Sequence, residues 1–377
     1  MAKRKGKSQH RLNWQQQYEH GADDRQQFSS RSRLTQRAIK LPADRLAADT
    51  VNTEDLPKTE GMIVGMMPGG AIVLADGGEL ICGIAKAFRP PEDGEFSTAL
   101  TVGDNVTLAL ARGDHTGLAT ATDKERCDGW IVQRQLRRTA LSRPGPRSAK
   151  RRDIYDTETF EKVIVANMDI LLVVASTCQP PLRQGLIDRF LIIAERGELA
   201  PVLVVNKIDI VAADENLLAD FRNLGMAVHC VSAASGQGVD TLANTLAGRR
   251  SVLAGPSGVG KSTLVNALVP GAAAVTRTVR TKDERGRHTT TSADIYPMGE
   301  GGLLVDTPGV RELGVSLTAA ALPWYFPEFE PFSGLCKFRD CTHTHEPNCA
   351  VQRAVEDGQI LPRRFESYLR ILDTLAE

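Results

Sequence analysis

Between Gly61 and Ala111 apolar residues gather in short runs: Gly61-Met-Ile-Val-Gly, Ala71-Ile-Val-Leu-Ala, Glu79-Leu-Ile-Cys-Gly-Ile and Asn105-Val-Thr-Leu-Ala-Leu. Turns such as Asp76-Gly77-Gly78 and Val102-Gly103-Asp104 separate them. Runs of this length between glycine turns predict strands. Several at regular spacing predict a small β-barrel, and a fifth strand would make it an OB-fold. Further along the pattern changes to continuous apolar runs alternating with amphipathic segments. The runs are Asp169-Ile-Leu-Leu-Val-Val-Ala, Pro201-Val-Leu-Val-Val-Asn, Ala227-Val-His-Cys-Val-Ser, Arg250-Ser-Val-Leu-Ala-Gly and Gly302-Leu-Leu-Val-Asp. Strands apolar on both faces, spaced by helices, predict an α/β domain with a parallel sheet covered on both sides. From about Ser316 that pattern stops, and a Cys/His cluster leads into helix-like sequence through Glu377.

Charge divides the chain further. Up to Lys40 there are 10 basic residues against 3 acidic ones, with few aromatics, so this arm cannot bury enough surface to fold alone. A second basic stretch, Arg126 to Arg152, carries Arg134, Arg137, Arg138, Arg143, Arg147, Lys150, Arg151 and Arg152 around Pro144-Gly-Pro and reads as a hinge. Basic segments of this kind neutralise phosphates and suit nucleic acid. The expected division is a basic arm (1–58), the barrel (59–115), a basic linker (116–152), the α/β domain (153–315) and a C-terminal domain (316–377). No run is long enough to span a membrane, and the first 40 residues lack the apolar core of a secretory signal, which leads to the expectation of a cytoplasmic protein. Seven cysteines without an export signal argue against a disulfide framework.

The chemistry concentrates in three motifs at strand ends. Gly255-Pro256-Ser257-Gly258-Val259-Gly260-Lys261-Ser262 follows a strand and opens a helix at Thr263, the context a phosphate-binding loop requires. Its glycines let backbone N–H groups approach phosphates, Lys261 reaches the β- and γ-phosphates, and the Ser262 hydroxyl is placed for magnesium. Asp306-Thr-Pro-Gly309 closes a second strand, with Asp306 positioned as a magnesium-directed carboxylate and the Gly309 N–H as a sensor of the γ-phosphate. Asn206-Lys207-Ile208-Asp209 closes a third. Guanine offers an N2 amino donor that adenine lacks. An acceptor at Asp209 for N1–H and N2–H₂, with Asn206 toward the N7/O6 edge, selects GTP over ATP. The segment beginning Ser232-Ala233 follows the next strand and is placed to give a backbone donor to O6.

The base-reading elements precede the phosphate-holding ones, the reverse of ordinary GTPases. Chain termini of compact domains often lie close together, so a rotated chain can keep the same site. Downstream, Cys336, Cys341 and Cys349 with either His343 or His345 offer three thiolates and an imidazole. That is a four-ligand tetrahedral zinc set, closed and therefore structural.

Taken together, the basic arm, the barrel, the permuted motif order and the terminal cluster resemble the RsgA/YjeQ family, circularly permuted GTPases of small ribosomal subunit assembly. The resemblance implies an OB-fold barrel, a central permuted P-loop GTPase domain and a zinc-binding helical C-terminal domain. It selects His343 as the fourth ligand of one structural zinc ion. It also makes Arg277 to Thr291 look like switch I, with Gly286-Arg-His288-Thr289-Thr290 matching the family pattern and either Thr289 or Thr290 joining magnesium. Position 310 is Val rather than the Gln that orients water in many GTPases, so another group must serve, and His288 is the candidate. The implied partners are GTP and GDP, the 30S subunit and its rRNA, with no membrane and a monomeric chain. Two other classes fit parts of the pattern: a metabolic P-loop kinase, which Asp209 opposes, and an RNA-binding module gated by nucleotide.

Overall fold

The computed structural model describes residues 53–91, 98–111, 127–144, 161–270, 293–307 and 317–375. Its first unit is a closed barrel of β1 (Lys58–Met67), β2 (Gly70–Ala75), β3 (Gly78–Ile84), β4 (Asn105–Leu110) and β5 (Gly129–Arg134), in the order β1-β2-β3-β5-β4. β1 pairs antiparallel with both β2 and β4, while β3 and β5 run parallel. Alternation sorts the side chains. Ile63, Val73, Cys82, Val106, Leu108 and Ile131 fill the interior, whereas Met62 and Val64 face outward and join the core of the next unit.

The barrel's fifth strand comes from within the stretch that the charge pattern assigns to a linker. Its strand signal, Gly129-Trp-Ile-Val-Gln-Arg, is short and overshadowed by the arginines around it. Those arginines have structural partners. Arg134 is 1% exposed, Arg137 Nε meets the buried Asp104 carboxylate at 2.7 Å, and Arg138 reaches Asp169 at 2.5 Å. Three of the charges expected to face nucleic acid therefore brace the barrel and tie it to the next unit; Arg143 stays exposed. β6 (Ala140–Pro144) then pairs antiparallel with β7 (Glu161–Ala166), leading into the second unit.

That unit runs β8 (Ile170–Ser176), α1 (Gln184–Gly197), β9 (Ala200–Asn206), α2 (Glu215–Asn223), β10 (Ala227–Cys230), α3 (Val239–Leu246), β11 (Arg250–Ala254), α4 (Lys261–Leu268), β12 (Asp294–Pro297) and β13 (Leu303–Asp306). The sheet order is β10-β9-β8-β11-β13-β12. Five strands are parallel, as their unbroken apolar runs require; β8 is buried at every position. β12 is an antiparallel edge strand that the sequence pattern did not predict, being only four residues long and ending on Pro297. One face of the sheet packs on α1 and α2 through Val173, Leu203, Phe190 and Phe221, the other on α3 and α4 through Val174, Leu242 and Leu264.

The third unit is built from α5 (Glu330–Ser333), α6 (Ala350–Glu356) and α7 (Pro362–Leu375) with short 3-10 turns before them. Phe326, Phe329 and Tyr368 form its centre, with ring centroids 5.1 to 5.3 Å apart. Ile192 of α1 enters the same cluster, so α1 is apolar on two sides and serves two cores. Among the described residues no helix is long and apolar enough to cross a membrane.

Candidate nucleotide and metal sites

Parallel strands bring their C-terminal ends to one edge, which is where a doubly wound sheet holds a ligand. The register sets Ser176 of β8 opposite Asn206 of β9, and Leu253 of β11 opposite Asp306 of β13. Motifs far apart in the chain thus share one rim. From β11 the chain turns through residues 255–260 into α4, whose first turn presents Ser262 and Thr263 to solvent. Gly255 has φ +133°, and a Cβ there would lie 2.2 Å from the Val174 carbonyl oxygen of the neighbouring strand. Lys261 is 7% exposed and its ammonium curls over the loop, donating to the Gly255 and Pro256 carbonyls at 2.8 and 2.5 Å. This holds a positive charge against the 255–256 turn.

The 206–209 loop is locked onto residues 255–260. Asn206 Nδ2 donates to the Val259 carbonyl at 2.9 Å, while its Oδ1 accepts from Ala233 N–H at 3.0 Å. One buried amide therefore pins the phosphate loop, the end of β9 and the segment after β10 together, a bracing role the motif alone did not disclose. Lys207 has φ +66°, and its ammonium donates to the Gly258 carbonyl at 2.7 Å and to those of Cys178 and Gln179. The Thr177 hydroxyl holds the Lys207 carbonyl at 3.0 Å. Past the following turn Asp209 is exposed. Ser232 is fully buried, its hydroxyl accepting from Ser235 N–H at 3.1 Å. With the Ala233 amide given to Asn206 and the Ser235 amide to Ser232, the exposed Ala234 N–H, within the 232–236 segment the sequence points to, is left as the donor at the loop tip.

At the other end of the rim, Asp306 is half-buried between Leu253 and Asp294, and Thr307 beside it is 3% exposed. His288, Thr289, Thr290 and Gly309 lie outside the described residues.

The Cys/His cluster folds into a single coordination site. The ligating atoms of Cys336, Cys341, His343 and Cys349 all lie within 4.8 Å of one another. Cys336 Sγ is 3.9 Å from Cys349 Sγ, and His343 Nδ1 is 3.6 and 3.4 Å from those two sulfurs. Metal–thiolate bonds of about 2.3 Å in a tetrahedron give edges of about 3.8 Å, so the set fits a tetrahedral ion. His345 points elsewhere, exposed and 2.8 Å from the Thr344 hydroxyl, which settles the choice between the two histidines. Burial pushes the Cys341 thiol up to about 12 and lowers the His343 imidazole from its usual range. A bound cation reverses the preference of the thiols.

The ligand loop is shaped by side chains that do not ligate. Glu346 accepts from the amides of Thr342 at 2.7 Å, Thr344 at 3.0 Å and His345 at 3.2 Å, and from the Thr342 hydroxyl at 2.6 Å. Burial alone would raise its pKa; these donors outweigh it and hold the carboxyl at about 2. Gln352 donates to the His343 and Thr344 carbonyls at 3.0 and 2.7 Å, and Tyr368 OH to Thr342 O at 2.6 Å. Glu346→Gln exchanges an acceptor for a donor amid three N–H groups. It is expected to speed metal loss to a chelator by about 10- to 100-fold, as loss of a supporting shell does elsewhere; an unchanged release rate counts against the role.

The 255–262 loop, the 206–209 loop and Asp306 share one sheet edge and are met along the chain in permuted order, the arrangement of a circularly permuted GTPase. Comparison with known proteins agrees. A family model described as RsgA GTPase matches residues 137–316. The small ribosomal subunit biogenesis GTPase RsgA of Gemmatimonas aurantiaca is 40% identical over 274 residues, covering 71% of this chain and 85% of that protein. Its namesake from Shewanella oneidensis is 35% identical over 328 residues, 85% of each chain. The crystal structure of YjeQ from Thermotoga maritima superposes with a TM-score of 0.58 at 29% identity, covering 85% of this chain and 99% of that one. YloQ, described as a circularly permuted GTPase, gives 0.58 at 26% identity, covering 87% and 98%. The chain belongs to the RsgA GTPase family.

Proposed function

We propose that this protein binds and hydrolyses GTP while attached to the maturing small ribosomal subunit, that the subunit stimulates hydrolysis, and that hydrolysis times release. The assembly role is supported by relatives that carry it in their names and match 85% of their own length. The guanine role rests on one observation: Asn206 bridges to Val259 and Ala233, so a nucleotide whose phosphates sit on residues 255–262 meets Asp209 with its base. In this reading Asp209 accepts from N1–H and N2–H₂, Ala234 or a neighbouring amide donates to O6, and Lys207 lines the base.

Lys261 and the amides of the loop hold the phosphates, Ser262 and Asp306 would hold magnesium, and the bound ion supplies charge neutralisation at the β- and γ-oxygens. Gly309 and Thr289 or Thr290 are proposed to report the γ-phosphate, and His288 to position water. Single-turnover hydrolysis by His288→Ala that matched the parent would remove that last role. One zinc ion is proposed for the Cys336, Cys341, His343 and Cys349 set, as an organiser of the C-terminal unit. The division into arm, barrel, linker, GTPase domain and zinc domain is kept, with the barrel extended to Arg134. The acting form is proposed to be a cytoplasmic monomer on rRNA.

Asp209→Asn tests the base reading. It replaces a charged acceptor of two hydrogen bonds, each worth about 1.5–3 kcal/mol, so GTP affinity is expected to fall about 10²- to 10⁴-fold. Xanthosine triphosphate, which carries an oxygen where guanine has N2, is expected to gain. Equal GTP binding by parent and variant would sink the reading. Hydrolysis that stays flat as purified subunits are added would sink the ribosomal part alone.

A further inference from the structure

The contact between α1 and the C-terminal unit is apolar at Ile192 and electrostatic at Asp188. Asp188, in the second turn of α1, is 1% exposed. Its Oδ1 accepts from Arg364 Nη1 at 2.5 Å, and Arg364, 3% exposed, also grips Glu328 at 2.6 Å with its guanidinium 4.6 Å over the Phe326 ring. Next to it Arg363 Nε meets Asp220 of α2 at 2.7 Å, its guanidinium 4.9 Å over Phe221. Two arginines of α7's first turn thus hold two helices of the GTPase domain. Buried ion pairs of this sort seldom add stability over apolar packing, so a role beyond holding is worth seeking.

Two details point to movement. Asp188 Oδ2 and Arg363 Nη1 face each other at 3.8 Å, and neither atom has a hydrogen-bond partner among the described residues. An approach of about 1 Å would make that bond. Just before Asp188, Leu186 and Ile187, with Phe190 beyond, line a cavity of about 220 Å³ whose opposite wall is Pro256, Ser257 and Val259 of the phosphate loop. α1 therefore joins the charge network on one side and lines a cavity shared with Pro256, Ser257 and Val259 on another.

We propose that Asp188 is a positioning residue through which the C-terminal domain acts on hydrolysis: a subunit bound to that domain draws Arg363 onto Asp188, shifts α1, and resets the wall behind Pro256 and Ser257. This rests on the ribosomal reading above. Coupling of this kind commonly spans 5- to 150-fold. In Asp188→Asn, hydrolysis without subunits should stay within about twofold of the parent, subunit affinity within about threefold, and the stimulation by subunits should drop by about tenfold or more.

Glu328→Gln is the control, because it weakens the same arginine from inside the C-terminal domain and leaves Asp188 alone; it should keep the stimulation. Retained stimulation in Asp188→Asn, or equal loss in both variants, would overturn the proposal. A parent enzyme that subunits do not stimulate would instead overturn the ribosomal reading. Should Asp188→Asn fold poorly, hydrogen exchange on the unaltered protein decides. Exchanging GDP for a non-hydrolysable GTP analogue should change protection of α7 amides as well as those of α1, and an unchanged α7 refutes the link.

Discussion

Gly260→Ala is expected to cost the protein its nucleotide while leaving most of its fold. Gly260 sits at φ +93°, and a Cβ there would lie 2.4 Å from Asn206 Nδ2. Left-handed backbone costs a non-glycine residue about 1–2 kcal/mol. Displacing Asn206 also strips a buried amide of its partners, about 1–3 kcal/mol more. The sum, roughly 2–5 kcal/mol, falls on the buried side chain that, with Lys207, joins the 255–260 loop to the 206–209 loop. Nucleotide affinity should therefore drop by more than about 10²-fold, read by titration with a fluorescent GDP. Gly236→Ala separates strain from collision, since Gly236 has φ +85° but nothing within 4 Å of the added carbon. It should bind GDP within about tenfold of the parent. If both variants bound alike, the Asn206 brace would not be what unites the two loops.

That brace marks the boundary of what could be read from sequence. The phosphate loop, Asn206-Lys-x-Asp and Asp306 were legible because each needs its residue types at fixed spacing after an apolar strand. Their convergence was only inferred; it follows physically from a parallel sheet, which puts Ser176, Asn206 and Asp306 on one rim. The 232–236 segment was legible as a source of a backbone donor, but which of its amides stays free was not, because a backbone donor carries no side-chain signature. Strand β5 was hidden for another reason. The arginines in it and just after it read as solvent-facing charge, yet Arg134 is buried, the Arg137 side chain is 2% exposed, and the acid that meets Arg137, Asp104, lies 33 positions away. Composition reports how many charges a segment has and is silent on which of them find partners. The two candidate histidines of the Cys/His cluster show the reverse case: spacing left both open, the family resemblance selected His343, and the fold has His343 Nδ1 at 3.4 Å from Cys349 Sγ with His345 exposed.

Removing a metal ligand should have the second large effect, and a confined one. Cys349 is 4% exposed and stands at the start of α6, where Val351 and Ala354 enter the same aromatic cluster as Phe326, Phe329 and Tyr368. His343 packs edge-on to Phe329 at 5.8 Å, so the coordination site and that cluster share a wall. The unit has few buried side chains of its own, and a bound tetrahedral ion typically contributes about 10–16 kcal/mol to a small domain of this kind. Cys349→Ala is expected to take the metal content from one per chain to none and to lose the near-ultraviolet dichroism of the ordered aromatic rings. The nucleotide domain has separate cores on both faces of its sheet, so GDP should still bind within about tenfold. Stimulation by the subunit should vanish with the C-terminal fold, because the grip of Arg364 and Arg363 on α1 and α2 is lost along with α7. A variant that kept its dichroism without metal would show that the aromatic cluster, and not the ion, organises this end of the chain.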